Sequence, residues 1–239
     1  MAIVPIDEQE CKKTMQGAGL LHLRYILSDD TAGSRRKKSG ALDGTIKTKT
    51  PYAGLFEVRV GSDILYTDEK AQYLFLGSVI DAQTSTDLTK QRTDELSKVK
   101  FSDLPLELAL KSVTGNGKRV IAIFEDPNCG YCKRFRKTLQ GVENLTVYTF
   151  MYNILSDDST TKSKNIWCSA DKNKAWDDWM LNNKAAPTAA ANWMPNDKIL
   201  ALGKKLRVTG TPTIIFADGS RLPGAVDAKA MEAKFASLK

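Results

Sequence analysis

The chain has few of the residues that build metal centres and disulfide scaffolds. Its 239 residues include one histidine, His22, and four cysteines, Cys11, Cys129, Cys132 and Cys168. A structural zinc site draws four Cys or His ligands from comparable spacings. Only Cys129 and Cys132 are closely spaced, so no metal and no cofactor is expected. Four cysteines are also too few to staple a chain of this size. No apolar run approaches the ~18 residues of a membrane span. The opening "MAIVPIDEQE" has neither the basic start nor the apolar stretch of a signal peptide. Composition therefore leaves a cytosolic protein or an exported one whose targeting segment has been removed. No internal repeat or low-complexity segment is present.

Lys and Arg number 35 against 28 Asp and Glu, a net charge of +7. Such an excess can serve nucleic acid binding, but here the basic residues are interleaved with acidic ones. The one dense cluster, "GSRRKKSG" at 33–40, has Ser and Gly flanks that read as a solvated loop, without the motifs that accompany a phosphate-binding patch. No nucleic-acid partner is expected. With 42% hydrophobic residues the chain can bury a core.

Its texture changes twice. Residues 1–86 read as β-rich after a short helix at 7–16. Alternating runs at 55–60, 63–68 and 72–81, separated by Gly and Asp, predict an antiparallel meander. Residues 87–112 are rich in helix formers with i,i+4 charge pairs, and Pro105 must start or break a helical segment. They read as a linker helix followed by a second helix. Residues 113–239 run strand, helix, strand, three helices, strand, helix. The apolar 120–124 segment predicts a central strand covered on both faces. A helix follows at 129–139, a strand at 145–153, and helices at 157–170, 174–183 and 196–208. "TGTPTIIFADGSRLPGAV" supplies a strand, an Asp218-Gly219 hairpin turn and a short strand before a last helix at 227–238. The fold class is α+β.

Chemistry concentrates in "FEDPNCGYCKRFRKTL" at 124–139, where an apolar strand gives way to a basic helix. At a helix start, residues three apart share a face, so Cys129 and Cys132 can reach disulfide distance across one turn. Unpaired backbone N–H groups and the helix dipole favour a thiolate at Cys129, the nucleophilic species. Cys132, one turn in and buried, is the resolving thiol. Lys133, Arg134 and Arg136 add positive charge, some of it turned to solvent. Half a zinc site, or two packing cysteines, are the competing readings of the pair.

A strand before the pair, a helix after it and a distant "GTPTIIF" resemble the thioredoxin fold, in which a cis proline before the third strand lies against the disulfide. Pro212 stands at that place. "CGYC", Thr211 before Pro212, "IWCSADKNKAWDD" and the front segment "GLFEVRVGSDILYTDEKAQYLFLGSVID" together resemble bacterial periplasmic disulfide isomerases of the DsbC/DsbG family. The resemblance runs from about Ile46 to the C-terminus. It implies an N-terminal β-rich dimerisation domain, a linker helix and a C-terminal thioredoxin-like α/β domain with a helical insertion. It implies a periplasmic homodimer acting on misfolded disulfide-containing proteins, with a membrane thiol reductase of the DsbD type as electron donor. Cys129 and Cys132 are then catalytic, and Gly130, Tyr131, Thr211 and Pro212 line the substrate-binding site. Tyr131 reads equally as a plain exposed aromatic.

Departures from the family accompany the match. The family's structural disulfide joins a cysteine at the place of Cys168 to a later one, and "APTAAANWMPND" contains none. Cys168 is accordingly expected to be buried and reduced, with pairing to Cys11 the less favoured alternative. The buried acid of thioredoxin is replaced by Ile123. Glu125 and Asp126 read as solvated surface carboxylates. Two other functions stay open: a DsbG-like reductase of sulfenic acids, and a holdase whose apolar surface matters more than its thiols.

Overall fold

The computed structural model describes residues 46–52, 54–60, 63–189 and 193–238. The expected helix at 7–16, the basic loop at 33–40, Cys11 and His22 lie outside the described residues. The chain divides between Leu96 and Ser97 into two compact units.

The first unit carries an antiparallel sheet of β1 (Ile46–Lys49), β2 (Phe56–Val60), β3 (Asp63–Thr67) and β4 (Leu74–Phe75), paired in that order. The meander follows from the alternation: Val58 and Tyr66 are buried while Asp63 stays exposed. The single strand expected at 72–81 is two, because Gly77 sits at φ 131° between β4 and a small ladder of β5 (Ile80–Asp81) and β6 (Thr86–Asp87). The turn after β3 is organised by Asp68, whose carboxylate accepts the N–H groups of Lys70, Gln72 and Tyr73 at 3.1, 2.7 and 2.8 Å. Helix α1 (Leu88–Leu96) joins this sheet through Tyr66 and Thr89, whose hydroxyls lie 2.7 Å apart, and through Arg92 Nε on Glu57 Oε2 at 3.0 Å.

The helix expected after α1 does not form. Two short 3-10 turns, Phe101–Asp103 and Leu106–Leu108, flank Pro105, and β7 (Leu110–Val113) follows. Proline gives no N–H to a helix interior. Leu110 gains burial and a ladder partner by pairing with Thr149, and that tertiary pairing overrides the local helix preference.

β7 is the edge of the second unit's sheet, whose order is β11 (Arg221–Pro223), β10 (Thr213–Phe216), β8 (Arg119–Glu125), β9 (Leu145–Met151), β7. Only β8 and β9 are parallel, joined by α2 (Gly130–Leu139) as the crossover helix. The unbroken apolar run of β8 serves both faces. Ile121 and Ile123 pack with Phe135 and Leu139 of α2 and Met231 of the last helix, α6 (Ala228–Ser237). Ala122 and Phe124 pack with Phe150, Ile215 and Ile199 of α5 (Asn196–Lys205). The expected hairpin joins β10 to β11, with Gly219 at φ 82° in its turn. Helices α3 (Asp157–Trp167) and α4 (Lys172–Asn182) are inserted between β9 and α5. Their Ile166, Trp167, Trp176 and Met180 form a third apolar cluster with both cysteines of the CGYC segment.

Candidate active site

β8 ends at Glu125, and Asp126, Pro127 and Asn128 turn the chain into α2. Cys129 is the N-cap of that helix, with φ −78° and ψ 113°. Its Sγ accepts the Cys132 N–H at 3.2 Å, the place a serine or aspartate oxygen commonly takes. The same thiol donates to the Thr211 carbonyl oxygen at 3.3 Å. The Thr211–Pro212 peptide bond is cis. β10 runs antiparallel to β8 with Thr213 opposite Phe124, which brings the start of one strand to the end of the other.

The two thiols differ in setting. Cys129 is 5% exposed and Cys132 is fully buried. Burial pushes the Cys132 thiol well above its ordinary value. The Glu125 charge and the Cys129 sulfur add to this, and the Asp126 N–H opposes it. Gly130 and Tyr131, between the sulfurs, face solvent, Tyr131 at 62%. Beyond its chain neighbours and its own helix backbone, no atom of the described residues lies within 4 Å of where a Gly130 Cβ would stand.

Sequence reasoning misplaced the two acids before the pair. Glu125 and Asp126 are both fully buried. Asp126 is the hub of the loop: Oδ1 accepts from Asn128 N–H and Ser159 Oγ at 2.8 Å each, and Oδ2 from Ile154 and Leu155 N–H at 2.9 and 3.0 Å. Glu125 Oε2 accepts Arg136 Nε at 2.8 Å and Nη2 at 2.5 Å. Their adjacency to a loop suggested solvent. A usable signal was Arg136, which shares the buried face of α2 with Cys132 and needs an anion there.

The basic residues after the pair also part ways. Arg136 is neutralised by Glu125, while Lys133 Nζ lies 4.1 Å and Lys162 Nζ 4.6 Å from the Trp179 ring centroid. Burial, and then repulsion from Lys162, lowers the Lys133 ammonium from its ordinary range. The Trp179 indole N–H holds the Pro127 carbonyl at 2.7 Å, and Asn128 donates to Asp158 and accepts from Lys162, both at 2.9 Å. The loop carrying Cys129 is therefore fixed from α3, α4 and the end of β9. None of these partners was evident from spacing.

Cys168 follows α3 as its C-cap. It is half-buried where full burial was expected, and donates to the Trp193 carbonyl at 3.4 Å. Trp193 is itself 64% exposed, so this end of the insertion stays open to solvent. Among the described residues no group of three or more His, Cys, Asp or Glu is placed to hold a metal ion, and no helix is long and apolar enough to cross a membrane.

Residues 106–239 match the thioredoxin-like domain family, and residues 41–90 match the disulfide bond isomerase protein N-terminal domain. The chain is 52% identical over 192 residues to a probable thiol:disulfide interchange protein DsbC of Bordetella pertussis, covering 80% of this chain and 68% of that one. It is 26% identical over 212 residues to the thiol:disulfide interchange protein DsbC of Escherichia coli K12, covering 87% and 88%. The crystal structure of a disulfide interchange protein from Neisseria gonorrhoeae superposes with a TM-score of 0.53 at 34% identity, over 56% of this chain and 96% of that one.

Proposed function

We propose a reaction for a chain that belongs to the DsbC family of thiol:disulfide interchange proteins: the Cys129 thiolate attacks a non-native disulfide in an exported protein. A Cys129–substrate disulfide forms, and the second substrate sulfur leaves with the electron pair of the broken bond and takes a proton from water. A substrate thiolate then attacks the substrate sulfur of the mixed disulfide. A new substrate disulfide forms, Cys129 is released, and nothing is oxidised or reduced overall. Alternatively Cys132 loses its proton and attacks Cys129, giving a reduced substrate and an oxidised enzyme. That second outcome consumes the enzyme's dithiol, and a membrane thiol reductase of the DsbD type would restore it.

The observation that supports this reading is the contrast between the sulfurs: Cys129 at a helix N-cap beside Thr211, Cys132 wholly enclosed. Gly130, Tyr131, Thr211 and Pro212 border Cys129 and form the substrate-binding edge. Ile154 and Leu155, 40% and 55% exposed, stand on the same Asp126 carboxylate and extend that edge with apolar surface. In the first unit Tyr73, Leu76 and Ile80 are exposed, Leu76 at 74%, which suits a homodimer contact and retention of misfolded chains in the periplasm.

Refolding of a scrambled multi-disulfide protein tests the proposal. The full chain should restore native pairing and Cys129→Ala should not; equal rescue by the variant contradicts it. The exposed apolar residues favour holding as a second capacity. Cys129→Ala should therefore still slow aggregation of a reduced substrate, and loss of that effect would tie holding to the thiol.

A further inference from the structure

Beneath Cys132 lies a buried charge cluster that the exchange steps above do not use. Glu125 ends β8 with no exposure, and its Oε2 takes both hydrogen bonds from Arg136. Arg136 also donates to Thr149 Oγ1 and lies 3.9 Å from Asp177 Oδ1. The other carboxylate oxygen, Glu125 Oε1, and the Trp176 indole nitrogen find no partner of ordinary hydrogen-bond geometry among the described residues, yet the indole acts on the Glu125 carboxyl as a donor and lowers it. Cys132 and Arg136 share the buried face of α2, and the Arg136 guanidinium stands 5.8 Å from the Trp176 ring centroid. Cys132 packs in one cluster with Trp176 and with Met151, which pairs with Glu125 across β8 and β9.

We propose that the buried Glu125 carboxylate, bound to Arg136 one turn from Cys132 along the enclosed face of α2, holds Cys132 as a thiol, delays its attack on the Cys129–substrate disulfide, and so biases the enzyme toward isomerisation over reduction. The inference rests on the reaction proposed above and names the residue that sets its partition. Glu125 acts through Cys132 and is a positioning residue.

The charges around Cys132 come from three elements. β8 and the loop after it supply Glu125 and Asp126, and both Asp126 oxygens are taken up by Asn128, Ser159, Ile154 and Leu155. Cys129 and Arg136 lie on α2, and Arg136 is engaged by Glu125. α4 supplies Asp177, whose carboxyl burial raises and Arg136 opposes. Burial likewise raises the Glu125 carboxyl against the pull of Arg136. Arg136 is held by Glu125 and is not turned to the Cys132 sulfur, and the Glu125 charge, after burial, raises the Cys132 thiol. For Cys132 to attack, its proton must pass to water, its sulfur must bond Cys129, and the substrate sulfur must leave as a thiolate. A raised thiol holds a smaller thiolate fraction at a given pH. A substrate thiol gains that interval to act first.

The test uses reduced full-length protein carrying Cys11→Ser and Cys168→Ser in parent and variants alike, and dithionitrobenzoate, which then releases one coloured thiolate when Cys129 attacks and a second when Cys132 resolves the mixed disulfide. Glu125→Gln keeps the shape and an acceptor for Arg136. Its first phase should stay within about twofold of the parent, and its second should accelerate at neutral pH with a pH midpoint moved down, the gain in thiolate being partly offset by a less nucleophilic sulfur. Glu125→Asp should keep the parent's midpoint. With a scrambled substrate, Glu125→Gln should yield more reduced and fewer re-paired molecules. An unchanged second phase overturns the inference. A slower one also overturns it, because the carboxylate would then be accepting the Cys132 proton. If Glu125→Gln fails to fold, Glu125→Gln/Arg136→Met removes both charges at once and should still resolve faster than the parent; equal or slower resolution overturns the inference. A parent that releases only one thiolate and forms no Cys129–Cys132 disulfide contradicts the underlying reaction instead.

Discussion

The Cys129 thiol lies 3.3 Å from the carbonyl oxygen of Thr211, 82 residues further along the chain. The antiparallel pairing of β8 with β10 creates that contact, since it sets the strand that follows Pro212 against the strand that delivers Cys129.

The two thiols should be separable by alkylation. Cys132 is fully enclosed and raised by burial and by the Glu125 charge, so near neutral pH a small alkylating reagent should modify Cys129 at least about tenfold faster. Peptide mapping by mass spectrometry reads the ratio. Equal labelling would remove the distinction between attacking and resolving thiols.

Asp126 carries the loop. Asp126→Ala leaves the N–H groups of Asn128, Ile154 and Leu155 and the Ser159 hydroxyl without their acceptor. The cost is on the order of 3 kcal/mol, read as a lowered urea midpoint. Asp126→Asn, which keeps one acceptor oxygen, should lose less. Identical midpoints for alanine and parent would show that the loop stands without this carboxylate.

The first unit should weaken in acid through Asp68. Burial tends to raise this carboxyl, but the Tyr73, Gln72 and Lys70 N–H groups outweigh it and hold it below the ordinary carboxylate range. A group depressed on folding stabilises the fold above its unfolded value and loses that contribution as pH falls through the folded one. Asp68→Ala should therefore be less stable than the parent at neutral pH, and the gap should close on acidification below that range. A gap independent of pH would contradict the role given to the ionised form.

A fragment beginning at Ser97 should fold and reduce a simple disulfide such as insulin's. It keeps β7 on the sheet edge and Val99, whose N–H holds the Gly219 carbonyl at 2.9 Å. A fragment beginning at residue 113 loses that strand and should be unstable. The longer fragment should be monomeric and poor at rescuing scrambled substrates, because retention is assigned to the first unit. Sedimentation and a refolding assay decide, and rescue equal to the full chain would leave the first unit another task.

Much of this was legible in the sequence because it rests on local pattern. The alternation of 55–60 and 63–68, the apolar 120–124 run and the Asp218-Gly219 turn each dictate their element. The CGYC spacing at a helix start places two sulfurs on one turn. What escaped depends on long-range pairing. Leu110 sits in a helix-favouring stretch and becomes a strand only because β9 offers a partner. Glu125 and Asp126 look like surface acids until Arg136, Ser159 and the Ile154 and Leu155 N–H groups arrive from later segments to satisfy them. Cys168, expected to be enclosed, ends α3 where the insertion opens to solvent.

Trapping the intermediate tests the central claim most directly. A Cys132→Ala variant of the full chain, mixed with a scrambled multi-disulfide protein and quenched in acid, should accumulate a covalent enzyme–substrate adduct. Mass spectrometry should place its disulfide at Cys129, and reductant should release it. An absent adduct, or one joined through Cys11 or Cys168, would contradict the assignment of Cys129 as the attacking thiol.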